Sequence, residues 1–176
     1  DNAFGDIEVN NIGGKADISN NNGEISADNI GGSAVIENHF GDIEAEKVGG
    51  DLKVANNNGR IYVREVRGKA DLGNAFGDIG IKRVEGGITV ENKNGRIEAE
   101  DVSGNAQIKN AFGDIYYKSA NADNGDIYAR TKFGSIDCNK PLQIKKEGQD
   151  TVAQGRLGTG QYKIELETNN GNIVIE

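Results

Sequence analysis

Residue types able to do covalent or metal chemistry are scarce in this chain: one histidine, His39, and one cysteine, Cys138, among 176 residues. His39 falls in the turn-like "NHFG", at a position taken elsewhere by Asn, Ala or Lys, and reads as a variable turn residue. With no second histidine, neither a Ser-His-Asp triad nor a His-rich transition-metal site assembles except around it. Cys138 has no partner for an internal disulfide and reads as packing. Tyrosines and carboxylates carry more. Tyr62 and Tyr116 stand at the same place in a repeated unit as Glu8, Glu44 and Glu98, and Tyr128 is expected to extend the row. A strip of Glu44, Tyr62, Glu98, Tyr116 and Tyr128 would present rings and carboxylates to a glycan, a protein or a cationic peptide. Glycoside hydrolysis needs two carboxylates about one sugar bond, and this surface offers too many pairs for that rule to select one. We expect no catalytic residues, no bound cofactor and no metal.

A second chemical candidate is the Asp of the recurring "GDI", because calcium-binding β-rolls also use nine-residue glycine repeats. Their Asp stands two places before the aliphatic residue. Here it directly precedes Ile, and Arg60 and Arg96 share its column, which suits a hard dication poorly. The first expectation is therefore a noncatalytic adhesion, binding or scaffold module. A glycan-active enzyme using the Tyr/Glu strip, or a calcium-dependent β-roll, is the alternative.

The elements that would position such a strip are set by a ruler. Glycine recurs every nine residues from Gly5 through Gly14, Gly23 and onward to Gly113 without a miss. Two kinds of unit alternate. One, like "FGDIEAEKV", has apolar residues two, four and seven places after its glycine; the other, like "GDLKVAN", has them at two and four and then an asparagine. Each is a short alternating strand, so the true repeat is eighteen residues. Parallel stacking of eighteen-residue coils would set residue i beside i+18. Charge supports this: from Asp1 to Lys118, fourteen charged i, i+18 pairs are of opposite sign and four of like sign. Opposite charges facing across paired strands stabilise and like charges do the reverse. Asn2, Asn20, Asn38, Asn56, Asn74, Asn92 and Asn110 recur on the inward side of a corner and predict an asparagine ladder, amide to amide and to turn backbone. The residue before the turn glycine runs Phe4, Asn22, Phe40, Asn58, Phe76, Asn94, Phe112, a super-repeat of thirty-six. A ring on every coil would crowd that corner, which is one reason for the alternation.

Composition agrees with an all-β chain. There are 26 glycines, one proline and no Trp or Met, a diet that weakens helices and suits short strands. The net charge of −8 argues against nucleic acid as a partner, and no run approaches the ~18 apolar residues of a membrane span. The fold predicted is a single-stranded parallel β-solenoid (β-helix) with two short strands per coil. Residues 1–120 form the regular coils, and 121–176 form degenerate coils and an irregular C-terminal cap of the same domain. The uncapped first coil leaves end-to-end self-association as a further expectation.

"NGDI", "NNGRIYVREVRGKADL" and the closing "LGTGQYKIELETNNGNIVIE" resemble the bacterial adhesin-named family of β-strand-repeat domains of unknown function, over essentially the whole chain. The resemblance implies a parallel β-solenoid of the cell surface or envelope. It defines no functional residues to carry across.

Overall fold

The computed structural model describes residues 1–176, the side chains of Ala120 and Asn121 apart. The chain winds as a parallel β-solenoid whose strands alternate between two sheets. In chain order the first are β1 (Ile7–Ile12), β2 (Ala16–Asn22), β3 (Ile25–Ile30), β4 (Ala34–Phe40), β5 (Ile43–Val48), β6 (Leu52–Asn58) and β7 (Ile61–Val66). The next are β8 (Ala70–Phe76), β9 (Ile79–Val84), β10 (Ile88–Asn94), β11 (Ile97–Val102), β12 (Ala106–Phe112) and β13 (Ile115–Lys118). Odd strands pair in register at i, i+18, Ile43 with Ile61 and Ile61 with Ile79. Even strands do the same, Asn56 with Asn74 and Asn74 with Asn92. The expected coil is therefore the observed one.

Between the sheets lies a narrow core of Ile, Val, Leu and Ala, with Ile36, Val63, Ile97 and Ile108 at most 1% exposed. The apolar spacing of two, four and seven after glycine breaks strict alternation for a local reason. The sixth residue, Asn11, Asn29, Lys47, Glu65, Arg83 or Asp101, is left-handed with φ of 52° to 59°. That kink turns the seventh residue back into the core, as Val48, Val66 and Val84 show.

At one corner the turn glycines Gly23, Gly41, Gly59, Gly77, Gly95 and Gly113 have φ between 124° and 136°. A Cβ on Gly77 would lie 2.1 Å from the carbonyl oxygen of Gly59, so coil stacking itself excludes a side chain. Under this corner runs the asparagine column, each member from Asn20 to Asn110 at most 6% exposed. The bonding differs from an amide-to-amide ladder. Each Nδ2 donates to the turn-glycine carbonyl fifteen residues earlier, at 2.7–3.0 Å: Asn20 to Gly5, Asn74 to Gly59, Asn110 to Gly95. The carbonyls point along the solenoid and reach the amides before the neighbouring side chains do.

The C-terminal part departs from simple continuation. After a 3₁₀ turn at Ala120–Asn124 come β14 (Gly125–Phe133), β15 (Ile136–Cys138), β16 (Gln143–Glu147) and β17 (Asp150–Arg156). The chain ends with β18 (Tyr162–Asn170) and β19 (Ile173–Ile175). In space β18 lies between β12 and β14, and β19 between β13 and β15. The last strands in sequence thus fill the penultimate coil, and β14–β15 make the final one. The cap is a regular antiparallel hairpin, β16–β17, laid on β14. Arg130 of β14 fastens it, donating to Asp150 of β17 at 2.9–3.0 Å. The outermost strand, "QIKKE", is exposed and charged, which guards the sheet edge.

Candidate functional site

The outward residues of the odd-strand sheet form one column: Glu8, Ser26, Glu44, Tyr62, Gly80, Glu98, Tyr116. Four of the five expected strip residues therefore share a face. The fifth does not: Tyr128 sits on β14 in the other sheet, paired with Glu165 and Gln154, because Gly125 of "NGDI", which looks like another turn glycine of the repeat, is a buried strand residue. The corner is carried instead by Phe133 and Gly134, stacked on Asn170 and Gly171.

Gly80 is the feature that sequence reasoning passed over. Where neighbouring coils carry Tyr or Glu, its missing side chain opens a groove of ≈ 580 Å³ lined by Tyr62, Glu44 and Glu98, with Asp42, Arg60 and Lys82 among its rim. The Tyr62 ring leans toward the gap, its Cδ2 3.1 Å from where a Gly80 Cβ would be. The available signal was a glycine where the coils on either side carry the long side chains Tyr62 and Glu98. Carboxylates outnumber cations around the groove, six to two: Glu24, Asp42, Glu44, Asp78, Glu98 and Glu100 against Arg60 and Lys82. Both cations are engaged, Arg60 with Asp42 at 3.2 Å and Lys82 with Glu100 at 3.2 Å.

Tyr116 lies on the next coil and is committed. Its hydroxyl donates to Glu176 Oε2 at 2.6 Å, which with neighbouring carboxylates holds the phenol up at about 12. Its ring lies 6.0 Å from the Arg96 guanidinium carbon. Glu44 and Glu98 are three coils apart, about 14 Å at the usual strand spacing, beyond the ~5–9.5 Å that glycosidase carboxylate pairs span.

The aspartates after the turn glycines have a structural role. Asp6, Asp42, Asp78 and Asp114 each accept from the backbone N–H of the corresponding residue in the next coil, at 2.7–2.8 Å. Among the described residues no group of three or more His, Cys, Asp or Glu is arranged to hold a metal. The charge columns are partly realised as ion pairs, Glu46 with Arg64 and Glu65 with Arg83, while Lys47 reaches Asp28 instead of Glu65. The exposed pairs, Glu65 with Arg83 and Lys47 with Asp28, are worth a few tenths of a kcal/mol each. Cys138 ends the inward column at the capped end, packed against the core, and burial pushes its thiol up. His39 is exposed at the corner. No helix is long and apolar enough to cross a membrane among the described residues.

The chain matches no curated protein and no solved structure. A family of β-repeat domains of unknown function does match it, over residues 34–176, from β4 through the inserted C-terminal strands to the end. The stacked coils and their cap are thus the shared unit, and the chain belongs to the Toastrack DUF4097 family.

Proposed function

We propose that this domain is a noncatalytic binding module of the bacterial surface or envelope, and that its ligand-facing surface is the groove over Gly80. The surface location rests on the resemblance to adhesin-named repeat domains. The observation that carries the binding reading is the gap itself: one glycine between Tyr62 and Glu98, with a tyrosine ring leaning over it and carboxylates on both sides. Tyr62 and the acidic wall suit a basic peptide segment on a partner protein, whose ammonium or guanidinium groups gain from both ring and carboxylate. A glycan is the second reading, favoured by the same ring platform. Binding is preferred to hydrolysis because Glu44 and Glu98 are too far apart to flank one glycosidic bond and Glu100 is held by Lys82.

The test is a titration of fluorescent lysine-rich peptide, alongside a panel of soluble oligosaccharides, against the protein and its Gly80→Tyr variant. Tyr62 occupies this column one coil away, and only its side-chain ring, 3.1 Å from a Gly80 Cβ, has to swing aside, so the variant fills the groove while the backbone stays in place. Peptide binding that is lost in Gly80→Tyr and weakened by moderate salt supports the proposal. Binding that ignores the substitution, or no binding, refutes the groove. Oligosaccharide hydrolysis that disappears in Glu98→Gln would instead make the protein an enzyme.

A further inference from the structure

The corner that carries the turn glycines also carries exposed phenylalanines: Phe40, Phe76, Phe112 and Phe133 are 53–56% exposed and Phe4 79%. Between consecutive rings stands an amide residue, Asn22, Asn58, Asn94 or Asn170. Coils rise by about 4.8 Å, so the rings form ridges about 9.6 Å apart with gaps between. Crowding within one chain does not require the gaps, since ~4.8 Å lies inside the roughly 4.5–7 Å favoured for aromatic pairs. Nor does tandem duplication require them. Asn170 comes last in sequence yet lies in space between Phe112 and Phe133, so the alternation follows the surface and not the chain.

The geometry points to a second copy of this chain as the occupant of the gaps, in an antiparallel dimer about a two-fold axis perpendicular to the solenoid. Reversing one copy and offsetting it by an odd number of coils places every ring over a partner amide. Charge favours the offset with the most opposite-sign contacts and no like-sign ones. Beside the rings run Asp42, Arg60, Asp78, Arg96 and Asp114. With the axis between the coils of Asp78 and Arg96, Asp78 faces Arg96 of the partner subunit and Arg60 faces Asp114 of the partner subunit. Asp42 then meets the neutral Asn172 of the partner subunit, and Glu24 meets Ser135 of the partner subunit. On the other flank, Lys93 meets Ala75 of the partner subunit. No like charges face each other in this register. Moving the axis toward the N-terminal end by one coil keeps the rings over amides but sets Glu24 against Asp114 of the partner subunit. The strip is long and narrow, so the interface falls at the small end of the stable range and association is concentration-dependent.

Sedimentation equilibrium over a concentration series tests this, independently of the groove. A monomer–dimer equilibrium is expected, abolished in Phe76→Asn/Phe112→Asn, whose new residues are those the adjacent coils already carry. Register is read from Asn57→Cys/Ala111→Cys in a Cys138→Ala background. The two sites are about 14 Å apart within one chain but face each other across the dimer. A short thiol crosslinker should give covalent dimer from the double variant and little from either single one. Asn58→Phe should fill a gap and lose the dimer, with a melting temperature equal to the parent's at a concentration low enough for both to be monomeric. A monomer at the highest soluble concentration overturns the proposal, as does a dimer that survives loss of both rings or lacks the crosslink. A melting temperature lowered even in that monomeric regime would return the alternation to crowding within one chain.

Discussion

Gly77→Ala tests whether backbone proximity at the corner, and not a general liking of turns for glycine, sets the nine-residue ruler. Gly77 has φ of 130°, and a Cβ there would stand 2.1 Å from the Gly59 carbonyl oxygen. The neighbour is backbone, so the clash is relieved only by separating two coils. A gap of ~1 Å forfeits a quarter to a half of each contact along it. Separation also strains the Gly59 N–H to Phe76 carbonyl bond at 2.9 Å, the Ile61 N–H to Asp78 carbonyl bond at 3.0 Å and the Asn74 side-chain bond to the Gly59 carbonyl at 2.9 Å. Each is worth about 1 kcal/mol net. An L-residue at this φ adds about 1–3 kcal/mol. Together the loss is about 4–7 kcal/mol, a large share of the ~5–15 kcal/mol that holds a domain. Gly73→Ala, in the same coil, is the control: nothing lies within 4 Å of its Cβ. There alanine should be neutral or stabilise by about 0.4–1 kcal/mol through the unfolded chain. Urea unfolding followed by far-ultraviolet circular dichroism compares the two. If Gly77→Ala falls within about 1 kcal/mol of Gly73→Ala, steric exclusion by stacked backbone is wrong.

Asn74→Thr should cost less than Asn74→Ala, by about 1 kcal/mol in the same assay, because Thr131 and Thr168 already donate to glycine carbonyls in this column at 2.7 and 3.1 Å. Glu65→Val should lose about 1–2 kcal/mol more than Glu65→Gly, since a β-branched residue resists the left-handed φ of 58° there. Hydrogen bonding to Glu176 raises Tyr116 to about 12, and burial raises Tyr117 to about 12 against a smaller opposing bond with Ser119. Both folded values exceed the ordinary 10.0, so their stabilisation is complete below pH 10 and is lost as pH climbs toward about 12. Phenolate absorbance should show two late-titrating tyrosines, and Glu176→Gln should bring one of them down. Truncation after Gln161 removes β18 and β19, which among the described residues are the strands that join the regular coils to the cap. Amide protection across residues 125–156 should then collapse while residues 34–102 keep theirs.

The regular coils were legible in the sequence because every inward position meets its own kind one coil away and the outward charges meet their opposites. Ile stacks on Ile and Asn on Asn, so a column is also a spacing. Steric facts that change no residue type were not legible. The left-handed kink at Lys47 or Glu65 shows only as an odd gap before Val48 or Val66, and nothing about Lys or Glu announces a positive φ. The groove is an absence at Gly80. The order of the last coils was hidden for a deeper reason: a strand that matches one coil matches all of them, so "YKIELETNN" fits between β12 and β14 as well as beyond them. The sequence did contain one discriminating mark. Phe112 and Phe133 are consecutive rings in sequence, twenty-one residues apart, and the amide that separates them elsewhere is supplied by Asn170.

Two alternations share the thirty-six-residue period, and the inserted strand separates them. On the regular coils a ring coil carries Asp, whose carboxylate accepts the next coil's N–H, and an amide coil carries Glu24, Arg60 or Arg96, for which no such bond is formed among the described residues. Backbone capping alone would explain a two-coil period there. At the inserted coil capping stops alternating: Asp114 accepts from Asn172, and Asn172 in turn accepts from the Ser135 N–H at 3.0 Å. The rings continue to alternate across the same three coils, Phe112, Asn170, Phe133. A pattern that persists where its companion lapses has its own cause. Because the rings are exposed, that cause lies outside this single chain's packing.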